Sequence, residues 1–215
     1  MLHCKIIPVT HYQQNCSLIW CDQTKEAALI DPGGDVQRLK AQIEQAQVKL
    51  TKILLTHGHL DHVGGTAELL AEFDVPVEGP HREDDFWLSQ LDNQAQMMGF
   101  TPVKGFVPSR WLSQGELVEL GHESLEVRFC PGHTPGHVVF YHAAGKVVWV
   151  GDVLFKGAVG RTDFPRGDFD TLAQSIRQQL WSLPDDTTFV PGHGPTGSIG
   201  EERKTNPFVA DHCFG

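Results

Sequence analysis

The chain has 215 residues, of which 40% are hydrophobic, and its formal net charge is −10 at pH 7. This length suits one compact domain with a large core, and we expect a single domain over residues 1–215 with no C-terminal helical domain. The acidic balance argues against a nucleic-acid partner, which needs clustered lysine and arginine, and no apolar run is long enough to predict a membrane helix.

The first ten residues and the cysteines bear on the compartment. Residues 1–10 contain no continuous apolar stretch typical of a secretion signal. The cysteines show no Cys-x-x-Cys pair, so neither a disulfide framework nor a zinc ribbon is predicted. We expect a soluble, cytoplasmic protein and favour a monomer. The five cysteines are Cys4, Cys16, Cys21, Cys130 and Cys213.

Apolar, β-rich runs alternate with helical spacing in the first half of the chain. Strands are predicted at residues 17–21, 26–30 and 52–55. Asp35 is a candidate N-cap for a helix that carries Val36, Leu39, Ile43 and Ala46 on one face. A second helix is predicted over residues 61–73, and a third, less regular helix lies within 82–98.

The sequence of the second half of the chain predicts a second group of strands and one long helix. The strands are expected at residues 117–120, 125–130, 138–141, 147–150 and 188–190. A helix over residues 168–180 has Leu172, Ile176 and Leu180 as its inner stripe. Strands, helices, strands and a helix in this order predict an α+β fold or a layered αββα sandwich.

Four residues of metal-ligand type follow the strand at 52–55 within six positions: His57, His59, Asp61 and His62. Residues two apart in an extended segment point the same way, so His57 and His59 can converge on one ion. A turn into a helix near Asp61 would direct Asp61 and His62 to a neighbouring point. The alternative is a histidine-rich surface loop, which the context makes less favourable.

Three other apolar runs also end in a glycine-bearing turn with a ligand-type residue, namely His133, Asp152 and His193. Strands that deliver such residues to one rim of a sheet are a common way to build a site. We predict one metal site of His57, His59 and His133 and a second of Asp61, His62 and His193, with Asp152 as the bridge. Nitrogen and oxygen ligands suit two divalent ions, with Zn²⁺ favoured and iron or manganese possible alternatives.

These motifs resemble the metallo-β-lactamase superfamily. The resemblance rests on Thr-His-Gly-His-Leu-Asp-His at 56–62, Gly-His-Thr-Pro-Gly-His at 132–137, Gly-Asp at 151–152 and Pro-Gly-His-Gly at 191–194. It spans about residues 15–194 and implies an αββα sandwich with a dinuclear site on one edge. It also implies that Asp31 is a buried carboxylate supporting that site.

Two bound cations would lower the pKa of a shared water and generate hydroxide as the nucleophile. Asp61 is the candidate residue that orients this nucleophile or carries its proton. No serine or cysteine nucleophile is needed, and Cys130 is expected to be a packing residue beneath His133. A non-enzymatic metal clamp is the alternative, although structural sites are usually closed cages rich in thiolate.

The chain is similar to a short glyoxalase II, a thioester hydrolase that acts on hydroxyacylglutathione. It departs from the long glyoxalase II enzymes because only 22 residues follow His193 and because Gly-Arg-Thr-Asp-Phe stands at 160–164. That run is similar instead to persulfide dioxygenases, which would use one iron held by His57, His133 and Asp152. A nucleic-acid-processing or β-lactam hydrolase is a third, minor alternative.

Basic side chains after Asp152 are candidates for binding a substrate carboxylate: Lys156, Arg161 and Arg166. An ion pair of Arg161 with Asp163 or Asp168 is an equally good interpretation. His137 is expected either behind the metal ligands or in the core. His3, His11, His81, His122, His142 and His212 are expected at the surface, and the aromatic residues of 86–111 receive no functional assignment.

Overall fold

A computed structural model describes residues 1–214 and contains two large β-sheets. The first sheet holds β1 (Leu2–Val9), β2 (Gln14–Cys21), β3 (Glu26–Ile30), β4 (Lys49–Leu54) and β5 (Val77–Glu78), in that spatial order. The pairs β1–β2 and β2–β3 are antiparallel, whereas β3–β4 and β4–β5 are parallel. Helix α1 (Val36–Ala46) makes the crossover between the parallel strands β3 and β4.

The second sheet is built from the C-terminal half of the chain. Its strands are β6 (Leu117–Leu120), β7 (Glu123–Phe129), β8 (Val138–His142), β9 (Val147–Gly151), β12 (Thr188–Pro191) and β13 (Gly197–Ser198), with β10 (Leu154–Phe155) and β11 (Ala158–Val159) as a separate hairpin. The spatial order is β13-β12-β9-β8-β7-β6. Strands β7, β9 and β12 run in one direction, because β8 is antiparallel to both neighbours and β12 is parallel to β9.

Six further helices complete the fold. They are α2 (Leu60–Val63), α3 (Thr66–Glu72), α4 (Asp85–Leu88), α5 (Leu91–Met98), α6 (Phe169–Ser175) and α7 (Ile199–Thr205), with 3₁₀ turns at Arg82–Asp84 and Asp211–Phe214. Helix α6 continues as one π-helical turn over Ile176–Leu180, so the predicted helix at 168–180 is confirmed in extent. The described residues contain no helix that is both long and apolar enough to cross a membrane.

Three apolar clusters hold the layers together. Ile19 and Leu54 from the first sheet meet Phe140 and Trp149 from the second in a cluster between the sheets. Leu39 of α1 packs on the outer face of the first sheet, and the π-helical turn after α6 packs on the outer face of the second through its apolar side chains. Burial of both faces of each sheet gives the four-layered αββα sandwich that was predicted.

The predicted single helix over residues 61–73 is wrong, because α2 ends at Val63 and α3 begins at Thr66. Gly64 and Gly65 separate the two helices and lie against the loop after β3. A Cβ atom on Gly65 would lie 2.7 Å from the carbonyl oxygen of Pro32. Apolar periodicity continued across the break, but close backbone packing interrupts the helix there.

The sequence also missed β1, the two-residue strands β5, β10, β11 and β13, and helix α7. Strand β1 contains the polar residues His3 and Lys5, and the short strands carry too few residues for a pattern. Asp35 does occupy the N-cap position of α1, but its side chain makes no capping bond. Its Oδ2 instead accepts the backbone N–H of Thr10 at 2.8 Å, which a local pattern does not predict.

Candidate metal centre

The seven candidate ligands lie where strands of both sheets end. His57 and His59 lie between β4 and α2, and Asp61 and His62 belong to the first turn of α2. In the second sheet, His133 follows β7, Asp152 follows β9 and His193 follows β12. The parallel direction of these three strands brings their carboxyl ends to one edge, where they meet the ligands of the first sheet.

The first triad consists of His57, His59 and His133. One ligand atom from each residue lies within 4.8 Å of the others, and all three residues are buried. Nε2 of His133 is 3.0 Å from Nδ1 of His59. These three histidines, predicted as one site, are therefore within reach of a single cation.

The second triad consists of Asp61, His62 and His193, whose ligand atoms also lie within 4.8 Å of one another. Nε2 of His193 is 3.1 Å from Oδ2 of Asp61. The side chain of His193 is 28% exposed, whereas that of His62 is fully buried. The second triad is thus the more open of the two.

Asp152 lies between the triads. Its Oδ1 is 3.2 Å from Nε2 of His62, and its Oδ2 is 3.7 Å from Nε2 of His133 and 3.8 Å from Nε2 of His193. Each carboxylate oxygen therefore faces ligand nitrogens, and Oδ2 faces one nitrogen from each triad. This placement fits the bridging role predicted for Asp152.

Unpaired polar atoms show that a cation fits this cluster. In the described part of the chain, Nε2 of His57, His59 and His62 and Oδ1 of Asp152 are buried without a hydrogen-bond partner. Buried polar atoms are normally paired, because an unpaired one costs about 1 to 3 kcal/mol. Two divalent ions, one in each triad, would satisfy all four atoms, because imidazole and carboxylate are suitable ligands for such ions.

Burial sets the protonation of the first triad. It lowers the pKa of His57 well below its usual value, lowers that of His59 to about 3, and lowers that of His133 as well. Neighbouring imidazoles add to the effect at His57 and His59. The three rings are therefore neutral near pH 7, which is the form that binds metal.

The pKa of His62 is shifted in the opposite direction. Burial by itself would lower its pKa, but the carboxylates of Asp152 and Asp61 raise it well above the usual value. Likewise His62 lowers the pKa of Asp152 against the effect of burial. Without a metal His62 is therefore charged beside the Asp152 carboxylate, and a bound cation would replace its proton.

Asp31 supports the cluster from behind, as the resemblance implied. Its Oδ1 accepts the backbone N–H of Thr56 at 2.7 Å, and its Oδ2 accepts the Thr56 hydroxyl at 2.6 Å. The same Oδ2 is 2.9 Å from Nδ1 of His62. Asp31 thereby holds the Nδ1 side of His62 and leaves Nε2 free to face Asp152.

His137 also lies directly behind the ligands. Its ring stacks on His57 with centroids 4.6 Å apart, and its Nε2 accepts the backbone N–H of Asp152 at 3.1 Å. Burial lowers the pKa of His137 well below the usual value, so the ring is neutral and can accept this bond. Of the two interpretations of His137, the structure supports the position behind the ligands.

Backbone or aromatic contacts from four residues around the ligands were missed. The carbonyl oxygen of Tyr12 lies 3.1 Å from Nδ1 of His193, and that of Arg161 lies 2.7 Å from Nδ1 of His133. Trp87 packs edge-on against His59 at 4.5 Å, and Phe164 packs against both His59 and His133. No local signal in the sequence marks these contacts.

Asp84 and Gln94 were also missed, although both are buried beside the ligand segments. Asp84 accepts hydrogen bonds from Gly58, Thr134 and Gly136. The side-chain carbonyl of Gln94 accepts the N–H of Leu60, and its amide donates to the carbonyl of Gly58. In the sequence, Asp84 stands within Glu83-Asp84-Asp85, which looks like an exposed acidic turn.

The three candidate substrate-binding residues differ in their contacts. Arg161 forms a two-bonded ion pair with Asp163 and stacks on Phe164 at 4.6 Å, so the predicted ion pair is present. The guanidinium of Arg166 stacks on Phe86 at 4.2 Å. The side chain of Lys156 is exposed.

One surface prediction is wrong. His142 is buried, and its Nε2 lies 2.9 Å from Oε2 of Glu123 across the second sheet. The acidic partner is 19 positions away, so spacing along the chain did not indicate it. Cys130 is fully buried in the outer cluster of the second sheet, and burial raises the pKa of its thiol, as expected for a packing residue.

Comparison with known proteins identifies the family. The pattern of the Metallo-beta-lactamase superfamily matches residues 9–193. A hydroxyacylglutathione hydrolase GloC of Haemophilus influenzae is 48% identical over 97% of this chain and 98% of that protein. Among solved structures, the di-iron-bound form of TTHA1623 has a TM-score of 0.87 and 38% identity over 95% of this chain and all of the other.

A second solved structure, the BLEG-1 B3 metallo-beta-lactamase, has a TM-score of 0.88 and 35% identity over 97% of this chain and 99% of the other. The family pattern covers most of the chain, in which histidine and aspartate side chains cluster at one edge of the two sheets. The chain belongs to the metallo-beta-lactamase superfamily.

Proposed function

We propose that this chain is a two-metal hydrolase that cleaves a small-molecule thioester, with hydroxyacylglutathione as its substrate. The observation that carries the proposal is the convergence of seven ligand-type side chains, four of which have an unpaired buried atom, on one edge of the sandwich. The relative that is 48% identical over nearly its full length and is named hydroxyacylglutathione hydrolase supports the substrate.

The proposed ligands are the first triad, the second triad and Asp152 between them. We favour Zn²⁺, because histidine and carboxylate donors without thiolate suit it, and iron or manganese suits the same donors. The similar structure titled as di-iron-bound supports iron as a resident metal in this donor arrangement. When bound, two such ions supply an activated water and polarise a carbonyl oxygen.

Asp61 is the proposed proton carrier. Burial would raise the pKa of its carboxyl, but His62 and His193 lower it, so Asp61 is ionised near neutral pH. An ionised carboxylate can orient the attacking water and accept its proton. Attack on the thioester breaks the C–S bond, and the products are a carboxylic acid and a thiol that receives the proton.

The arginines are proposed to bind the carboxylates of the substrate. The guanidinium of Arg161 lies over the ring of Phe164 and that of Arg166 over the ring of Phe86, and a planar guanidinium suits recognition of a carboxylate. Lys156, on the hairpin turn between β10 and β11, is the third proposed contact. Their positive charge complements a substrate with carboxylate groups.

A β-lactam hydrolase is the second candidate, because the similar BLEG-1 structure is titled a B3 metallo-beta-lactamase. A one-iron persulfide dioxygenase would use His57, His133 and Asp152 and is compatible with the presence of Asp61 and His193. The relative that is 48% identical and is named hydroxyacylglutathione hydrolase favours the hydrolase instead. The three activities make different products, so one sample can distinguish them.

The test measures metal content and turnover on the same purified sample. The substrates are lactoylglutathione, glutathione persulfide and a β-lactam. We expect about two metal ions per chain and thiol release from lactoylglutathione. One iron per chain with oxygen uptake on the persulfide and no thioester cleavage would overturn the proposal, as would hydrolysis of the β-lactam alone.

A further inference from the structure

Asp84 is a fully buried carboxylate that lies outside the proposed ligand set. It ends the 3₁₀ turn Arg82–Asp84 that precedes α4. Burial raises the pKa of its carboxyl to about 6, although three hydrogen-bond donors act in the opposite direction. Removing a carboxylate from water carries a substantial free-energy cost, so its position here calls for a structural reason.

The three donors come from both segments that supply the first triad. Oδ2 accepts the backbone N–H of Gly58 at 2.8 Å and the hydroxyl of Thr134 at 2.8 Å, and Oδ1 accepts the backbone N–H of Gly136 at 2.5 Å. Gly58 lies between the ligands His57 and His59, and Thr134 directly follows the ligand His133. One carboxylate therefore connects the ligand segment of the first sheet to that of the second.

The packing around this carboxylate is too tight for a larger residue at one of the donors. A Cβ atom on Gly136 would lie 2.4 Å from the backbone nitrogen of Asp84. The glycine in the run at 132–137 thus allows the loop after β7 to reach the carboxylate. The two chain segments are therefore closely packed at this contact.

The second triad has separate support. His62 contacts Asp31 through Nδ1, and His193 contacts the carbonyl oxygen of Tyr12 through Nδ1. Neither support involves Asp84, whose three hydrogen bonds go to the segments of the first triad alone. A change at Asp84 should therefore act on one metal position more than on the other.

We infer that Asp84 is a positioning residue that holds the His57–His59 segment and the His133 segment at the spacing that one metal ion requires. The inference rests on the proposed metal centre but not on the identity of the substrate. An asparagine at this position has one carbonyl oxygen and one NH₂ group, so at least one of the three donors would face another donor. Residues that orient ligands typically contribute about 10- to 100-fold to metal affinity.

The test uses two background variants, each of which keeps only one of the two triads complete. His193→Ala removes a ligand of the second triad and leaves the first intact, and His133→Ala does the converse. Asp84→Asn is introduced into each background, and the metal-free proteins are titrated with Co²⁺ by calorimetry and visible absorption. The milder second variant is Thr134→Val, which removes only one hydroxyl donor. The control is Asp85→Asn, which makes the same change of charge at the exposed neighbouring position.

We expect Asp84→Asn to weaken Co²⁺ binding by about 10- to 100-fold in the His193→Ala background, with an altered absorption spectrum. The same change should leave binding in the His133→Ala background within about 3-fold, and Thr134→Val should act in the same direction by a smaller factor. Unaltered affinity in the His193→Ala background with both variants, or an equal loss in both backgrounds, would overturn the inference. Thioester hydrolysis is not measured, so a wrong substrate does not affect the result.

Discussion

Nδ1 of His62 lies 2.9 Å from Oδ2 of Asp31, on the side of the ring opposite the proposed metal. The carboxylate can only accept, so Nδ1 carries the proton, and in the neutral ring Nε2 then presents its lone pair to the centre. Nε2 is 3.2 Å from Oδ1 of Asp152 and has no hydrogen-bond partner among the described residues. Asp31 thereby selects the tautomer of His62 that binds metal.

Asp31→Asn should therefore weaken the second metal position. Asparagine tolerates the φ of 52° at this position, so backbone strain does not dominate the change. Its NH₂ group, placed against Nδ1, would favour the tautomer with the proton on Nε2, which blocks the ligand atom. We expect about 10- to 100-fold weaker binding of one of two Co²⁺ ions in a titration. Two ions bound as in the wild type would contradict this role.

Substitution of Asp35 by glycine should weaken metal binding at His193, because Asp35 holds the turn that contacts this histidine. The carboxylate of Asp35 accepts the N–H of Thr10, and two residues later the Tyr12 carbonyl contacts His193. Asp35→Gly removes the acceptor while tolerating the φ of 50°, and Asp35→Asn retains an acceptor. We expect Asp35→Gly to weaken the binding of one metal ion by up to about 10-fold, and Asp35→Asn to bind metal as the wild type does. Equal behaviour of the two variants would rule out the hydrogen bond as the cause.

Removing the metal should lower stability without unfolding the chain. The three apolar clusters pack independently of the ligands, so the sandwich has its own core. Metal at 100 times its dissociation constant adds about 2.7 kcal/mol to the free energy of unfolding. Circular dichroism and thermal melting before and after chelation should report a folded protein with a lower melting temperature and no activity. Loss of the fold on chelation would indicate a structural clamp instead.

The metal-free protein should lose stability on acidification through His59. Burial lowers the pKa of His59 from its usual 6.5 to about 3, so between these values the unfolded chain binds a proton that the folded chain does not. The free energy of unfolding then falls as pH falls through this window, by about 1.4 kcal/mol per pH unit for this group. Denaturant unfolding between pH 5 and 6.5 should give a shallower pH dependence for His59→Gln. Parallel curves for the two proteins would refute the assignment.

Arg161→Ala should raise the KM for the thioester and leave kcat unchanged. The guanidinium is exposed and paired with Asp163, so we expect about a 2- to 5-fold effect, as for other exposed ion pairs. Lys204→Ala, at an exposed position of α7, is the matched control for loss of one positive charge. Steady-state kinetics on lactoylglutathione would measure both. An unchanged KM would leave Arg161 with a role in loop structure only.

Local sequence by itself predicted the candidate ligand set and determined the main strands. His57, His59, Asp61 and His62 lie within six positions, and the other three candidates each follow an apolar strand and a glycine. Such patterns are readable because the ligand type, the strand period and the turn residues are properties of neighbouring positions. The αββα architecture followed from the same order of elements and from the resemblance to the superfamily.

Only the tertiary structure decided which residues hold those ligands in place. Asp84 is 26 positions from Gly58 and 52 from Gly136, and His193 is 181 positions from Tyr12. Their contacts form because two sheets pack face to face and bring distant loops to one edge, and no short-range pattern contains that information. The break between α2 and α3 has the same origin, since it depends on the backbone of Pro32 lying against Gly65.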